Sequence, residues 1–195
     1  MRSITPGRRD ARYNPLAMFL HWAMAALILF AWLLPQIMSF LPRNAAPLVI
    51  GLHRSVGVTV LVLVLLRAAW RFFNPPPGLP GGTTQLIRFA SHAGHAALYL
   101  LMLAIPVCGI LFTWAGGHSL SIWGLTEISA PGWVDPDLRD TFRAIHETCA
   151  NALLWLIGLH VAAALIHQYV FKDGLLDRML PTRFRTSRPR HSALI

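Results

Sequence analysis

Four long apolar runs alternate with short polar breaks along the chain: about Leu16 to Met38, Leu48 to Trp70, Ser91 to Thr113 and Phe142 to Phe171. Each exceeds the roughly 20 helical residues needed to cross a hydrocarbon core of about 30 Å, so the pattern predicts four membrane spans. The breaks suit helix ends. Asn14-Pro15 offers a cap followed by proline at a first helical position, and Pro35 kinks or finishes span one. The stretch Asn74-Pro75-Pro76-Pro77-Gly78-Leu79-Pro80-Gly81-Gly82 cannot continue a helix and reads as a stiff connector. Pro106 and Gly109 interrupt the second half of span three. Trp114 to Arg143 reads as a longer loop, with Trp123 and Trp133 of the kind that rest at a membrane interface. Four spans in sequence predict an all-α, integral membrane, antiparallel four-helix bundle, one domain over residues 1–195.

Composition narrows the picture. With 55% hydrophobic and 13% charged residues, the 195-residue chain excludes an ordinary soluble domain and has no length left for a separate soluble catalytic one. The formal charge of +9 could suggest nucleic acid, but the cations flank apolar runs rather than line a polar groove, so no nucleic acid partner is expected. Of 17 Lys and Arg, only Arg43, Arg54, Arg139 and Arg143 fall on one side of the predicted bundle. The rest, including Arg2, Arg8, Arg9, Arg12, Arg67, Arg71, Arg183, Arg185, Arg188 and Arg190, fall on the other. That bias predicts both termini in the cytoplasm and a multi-pass membrane protein in contact with lipid. The first run carries a histidine and no convincing cleavage site, so it is expected to be a retained span. Cys108 and Cys149 sit inside apolar runs and read as buried, inert thiols.

Nine histidines are many for so apolar a chain, because an imidazole in hydrocarbon needs partners for its N–H and its lone pair. His146 and His160 stand 14 residues apart in span four, a rise of about 21 Å that returns near the same helix face. One helix thereby presents imidazoles at two depths. With alternating spans, His21, His92, His95 and His160 lie toward the inner leaflet, and His53 and His146 toward the outer. His53 and His146 pair by exclusion. His160 can face His21 or His95, and depth does not choose.

Opposed imidazoles without thiolate or carboxylate help suit the axial positions of a haem iron better than a zinc site. Gly51, Gly57, Gly94, Gly109 and Gly158 would let a flat ring approach the helices, or would serve helix packing. Arg54 beside His53 and Arg88 near His92 could neutralise haem propionates; equally, Arg54 could snorkel and Arg88 could serve the charge bias. His118 and His191 read as solvated, and His167 as a candidate for lining a small-molecule site at the inner surface.

Several stretches resemble the bacterial cytochrome b561 family of four-span dihaem membrane cytochromes. They are Tyr13 through His21-Trp22, His53-Arg54-Ser55-Val56-Gly57 with Leu66-Arg67, and Gly94-His95 through Leu98-Tyr99-Leu100 and Pro106. They continue with Trp123-Gly124-Leu125, His146-Glu147-Thr148 through Gly158-Leu159-His160, Lys172-Asp173-Gly174 and Arg178-Met179-Leu180-Pro181. The resemblance implies two b haems, one on His21 and His160 and the other on His53 and His146. It also implies a multi-pass protein of the bacterial inner membrane, oxidation of superoxide at the outer face and reduction of ubiquinone as substrate. Where family members carry paired histidines near the end of span four, this chain has His167-Gln168. Arg54, with Arg139 and Arg143, could steer the small anion locally, although Glu127, Asp135, Asp137 and Asp140 make the outer loop acidic. Two rival expectations stand beside this one: an electron-conduit subunit of a hydrogenase or other dehydrogenase, docking a redox partner protein, and a haem-free metal-binding or transport protein.

Overall fold

The computed structural model describes residues 12–78 and 83–180. The expectations for Arg2, Arg8, Arg9, residues 79–82 of the connector, Arg183, Arg185, Arg188, Arg190 and His191 lie outside the described residues.

Four long helices carry the chain, each long and apolar enough to cross a membrane. Helix α1 spans Pro15–Ile37; Asn14 starts it by accepting the Leu16 N–H, with proline in the first turn where no intrahelical partner is lost. Helix α2 covers Ala46–Phe73 and stops at Asn74, ahead of the three prolines. Helix α3 covers Gln85–Ala115. It starts six residues before the expected Ser91, because the Thr84 hydroxyl caps Ile87, and Gln85 and Arg88 in the first turn hid the start from an apolar reading. Pro106 remains inside it. Helix α4 covers Arg139–Tyr169, shorter at its end than the expected Phe171.

The segment expected to be irregular loop between α3 and α4 contains a hairpin. Strands β1, Leu120–Ile122, and β2, Thr126–Ile128, pair antiparallel around a tight turn. Trp123 and Gly124 hold φ of 54° and 70° in the three-residue loop that joins them, at the centre of a turn that the Leu125 N–H closes on the Ile122 carbonyl at 3.0 Å. After α4 the chain reverses through Lys172 (φ 53°) and Gly174 (φ 72°) into a short turn at Leu176–Arg178. The Tyr13 N–H donates to the Arg178 carbonyl at 3.4 Å, which brings both described chain ends to one end of the bundle, the terminal end; the hairpin marks the other.

Helix α3 packs closely on α4, α1 on α2, and α2 on α3, whereas α4 makes at most sparse backbone approach to α1 and α2. The tight core follows that arrangement. Leu20, Met24 and Leu34 of α1 are buried with Val49, Val56, Val60 and Val64 of α2, while the described residues of α4 contribute Leu153 alone. Phe19, Leu100, Trp155 and Leu159 point outward, as lipid contact requires. Leu153 lies midway between His146 and His160 in the chain, so it separates the two histidine levels of α4.

Candidate functional site

At the hairpin end, the rings of His53 on α2 and His146 on α4 face each other with centroids 6.1 Å apart and planes at 72°. Each is oriented by a neighbouring helix. The His53 Nδ1–H donates to the Ala31 carbonyl of α1 at 2.8 Å. In an unbroken helix that oxygen would accept from residue 35, which here is Pro35 and has no N–H, so the proline leaves an acceptor inside the bundle and the histidine takes it. The His146 Nδ1–H donates to the Ile105 carbonyl of α3 at 2.8 Å. Gly109 permits that approach, since a Cβ there would stand 3.1 Å from His146 Nδ1 and 3.2 Å from Cε1. With Nδ1 protonated, each neutral ring keeps a lone pair at Nε2.

Toward the terminal end, His160 meets two imidazoles. Its centroid lies 6.3 Å from that of His21 on α1 and 5.6 Å from that of His95 on α3. The His95 Nδ1–H donates to the Ser91 carbonyl at 2.6 Å. Arg67 of α2 donates from Nε to the Tyr99 hydroxyl at 3.1 Å and lies within electrostatic reach of His21, His95 and His160. The Arg71 guanidinium sits 5.9 Å from the centre of the Tyr99 ring. Between α2 and α3 a cavity of about 300 Å³ is lined by Ala68, Arg71, His92, His95, Ala96 and Tyr99.

The other expected residues distribute differently. Arg54 is half-buried beside His53, with no ion pair among the described residues. Arg88 is exposed, and its contribution to this end is its carbonyl, which accepts the His92 Nδ1–H at 2.7 Å. Arg143 is engaged by Glu147 at 2.9 Å, and Arg139 lies over the Phe112 ring at 5.3 Å. His118 is exposed. His167 pairs with Asp173 at 2.6 Å, and Gln168 donates to Asp177 at 3.3 Å.

Arg67 and Tyr99 were not among the expected site residues. A signal for Arg67 was present: it follows His53 by 14 residues, the interval that separates His146 from His160, so α2 repeats the two-level spacing of α4 with a cation in place of the second imidazole.

Two imidazole nitrogens each about 2 Å from a shared metal, with ring centres about 1 Å further out, put centroids about 6 Å apart. Both facing pairs meet that spacing. Among the described residues no group of three or more His, Cys, Asp or Glu converges as a set for a bare ion, so a metal between these rings must bring its remaining ligands with it. A planar macrocycle does so, and the backbone of α4 approaches those of α1 and α2 only sparsely where the facing rings stand.

Residues 12–182 match the prokaryotic cytochrome b561 family. The chain belongs to the prokaryotic cytochrome b561 family. It is 35% identical over 172 residues to the protein named "Probable superoxide oxidase CybB" of Yersinia pestis, a match that covers 88% of this chain and 97% of that protein. It is 32% identical over 174 residues to "Cytochrome b561 homolog 2" of Escherichia coli, covering 87% and 91% of the two chains. It is 35% identical over 181 residues to "Cytochrome b562" of Cereibacter sphaeroides, covering 90% and 99%. As a cytochrome b561, the chain is a multi-pass bacterial membrane protein of electron transfer, an oxidoreductase whose family implies b-type haem.

Proposed function

We propose that this cytochrome b561 binds two b haems, one on His53 and His146 and one on His21 and His160, and passes electrons from superoxide to ubiquinone. The carrying observation is the pair of facing imidazoles at each of two levels, with centroids at 6.1 Å and 6.3 Å, in a bundle whose fourth helix stands off from the helices that supply the partners. The choice of His21 over His95 follows the family resemblance. When bound, the haems would supply the one-electron redox chemistry.

The chain does the rest. The hydrogen bonds from Nδ1 of His53 and His146 hold those rings with Nε2 free to ligate. Leu153, buried midway between His146 and His160 in α4, places an apolar side chain between the two levels. Arg54 near one level and Arg67 near the other place positive charge where propionates or an incoming anion would need it. The cavity walled by Arg71, His95 and Tyr99 is open to a flat quinone ring beside the second level, with a guanidinium and a hydroxyl to bond quinone oxygens. In this reading the terminal end faces the cytoplasm of the inner membrane and the hairpin end faces outward.

Mixing pulse-generated superoxide with the purified protein and ubiquinone tests the reaction. Haem reduction followed by quinol formation is expected, whereas reduction by a partner dehydrogenase but not by superoxide would support the conduit reading. Haem content tests the sites: alanine at His21, His53, His146 or His160 is expected to remove one haem of two.

A further inference from the structure

The five imidazoles at the two levels are not equally satisfied. His53, His146 and His95 each donate Nδ1–H to a backbone carbonyl. Among the described residues, no hydrogen bond is formed by the ring nitrogens of His160 or His21. A half-buried imidazole N–H without an acceptor is costly in an apolar surround, and a metal-ligating histidine nearly always donates its second ring N–H to some partner.

His95 supplies the missing partner. Its Nδ1–H is committed to Ser91 at 2.6 Å, which in a neutral ring leaves Nε2 as a bare acceptor. Its centroid lies 5.6 Å from that of His160, closer than either facing pair at 6.1 Å and 6.3 Å. A direct N–H···N bond of about 3 Å, with about 1 Å from each nitrogen to its ring centre, puts centroids about 5 Å apart. A modest rotation of either ring closes the difference, whereas a shared metal would push the rings apart.

We propose that His95 is a positioning residue, accepting the Nδ1–H of His160 at its Nε2 and so fixing the ring whose own Nε2 faces His21. The relay then runs from the Ser91 carbonyl through His95 to His160. An imidazole that donates its N–H in this way is a stronger electron donor at the opposite nitrogen, which favours the ferric state of the iron it ligates. Because His95 also walls the 300 Å³ cavity, the same side chain touches whatever occupies that space. The inference rests on the proposed ligation by His160, and on nothing about the identity of the electron donor.

The test uses the full-length protein carrying H95L, which fills the volume without an acceptor, or H95Q, which retains one. Haem per chain is measured by pyridine haemochromogen assay, and both midpoint potentials by optical redox titration. Expected for H95L are two haems retained, one potential unmoved, and the other raised by about tenfold in the reduction equilibrium, about 59 mV for a one-electron couple. H95Q is expected to return most of that shift. Two unmoved potentials in H95L overturn the proposal, and so does loss of one haem, which would make His95 an axial ligand. Should H95L fail to accumulate, proton NMR of the unsubstituted ferric protein decides: slow deuterium exchange at a ligand ring N–H of the second level supports the bond, and exchange as fast as an open imidazole refutes it. A wild-type protein without haem would refute the ligation reading itself, an outcome separate from all of these.

Discussion

The ring N–H of His53 rests on the Ala31 carbonyl at 2.8 Å, the oxygen from which Pro35 withholds a helical donor. A proline near the end of one span thus sets the orientation of a histidine on the next. Pro35→Ala restores an N–H that competes for the same oxygen. The carbonyl has two lone pairs, so the His53 bond should weaken rather than vanish. We expect P35A to fold with two haems and unimpaired thermal stability, and to shift the potential of the haem at the hairpin end while the other stays fixed. Optical redox titration resolves the two.

Gly109 supports the other ring of that level by absence of a side chain. A Cβ would lie 3.1 Å and 3.2 Å from two atoms of the His146 imidazole, inside the range where the neighbour must give way. The ring can move only by stretching its 2.8 Å bond to Ile105 or by leaving the line to His53. Gly109→Ala is therefore expected to lower haem content toward one per chain, or to leave the hairpin-end haem in a mixed spin state. Gly132→Ala, with open space around its added methyl, should change neither. Haem stoichiometry and the ferric absorption spectrum report both.

Much of the architecture was legible because lipid imposes a simple demand. An uninterrupted apolar run of bilayer length has to be a helix, so four runs gave four helices and the caps at Asn14 and Thr84 refined their starts. Depth followed from alternation, and it brought His53 to His146 without any knowledge of contacts. Rotation about the helix axes is another matter. Whether His160 meets His21 or His95 depends on how three helices turn relative to one another, and the structure has both rings near it. The hairpin escaped notice because three-residue strands leave too short an alternation to read, and its Trp123 occupies a turn position usually given to asparagine or glycine. Arg67 was legible in principle from its interval to His53, but a cation near a span end was already explained by charge bias.

Arg67 supplies a fixed charge at the level of His160. Its Nε bond to Tyr99 at 3.1 Å anchors it there, in reach of three imidazoles. A cation beside a redox centre favours the form with the extra electron, so removing it should lower that centre's potential. At about 10 Å and an effective dielectric of about 20, a unit charge is worth about 1–2 kcal/mol. Arg67→Gln is expected to lower one potential by that amount and leave the other unmoved, with Arg67→Lys intermediate because the Nε bond to Tyr99 is lost but the charge stays. High salt should not restore the difference, since the group is half-buried.

Trp123 holds the hairpin to α2 through two donors. Its backbone N–H donates to the Ser55 hydroxyl at 2.9 Å and its indole N–H to the Thr59 hydroxyl at 3.1 Å. Both hydroxyls spend their own protons on α2 carbonyls, Ser55 on Gly51 and Thr59 on Ser55, each at 2.9 Å, so they are acceptors by necessity. A bulky residue at φ 54° costs strain that these bonds offset. Ser55→Ala would leave the Trp123 N–H facing a buried methyl, at a cost of about 1–3 kcal/mol. Thr59→Val and Trp123→Phe each remove one end of the indole bond, and each should lower the temperature of irreversible inactivation in detergent. The double variant Trp123→Phe with Thr59→Val should lose less than the sum of the two single losses, because the indole bond is removed in each single variant and can be lost only once. Additive losses would mean that the indole N–H finds its partner elsewhere.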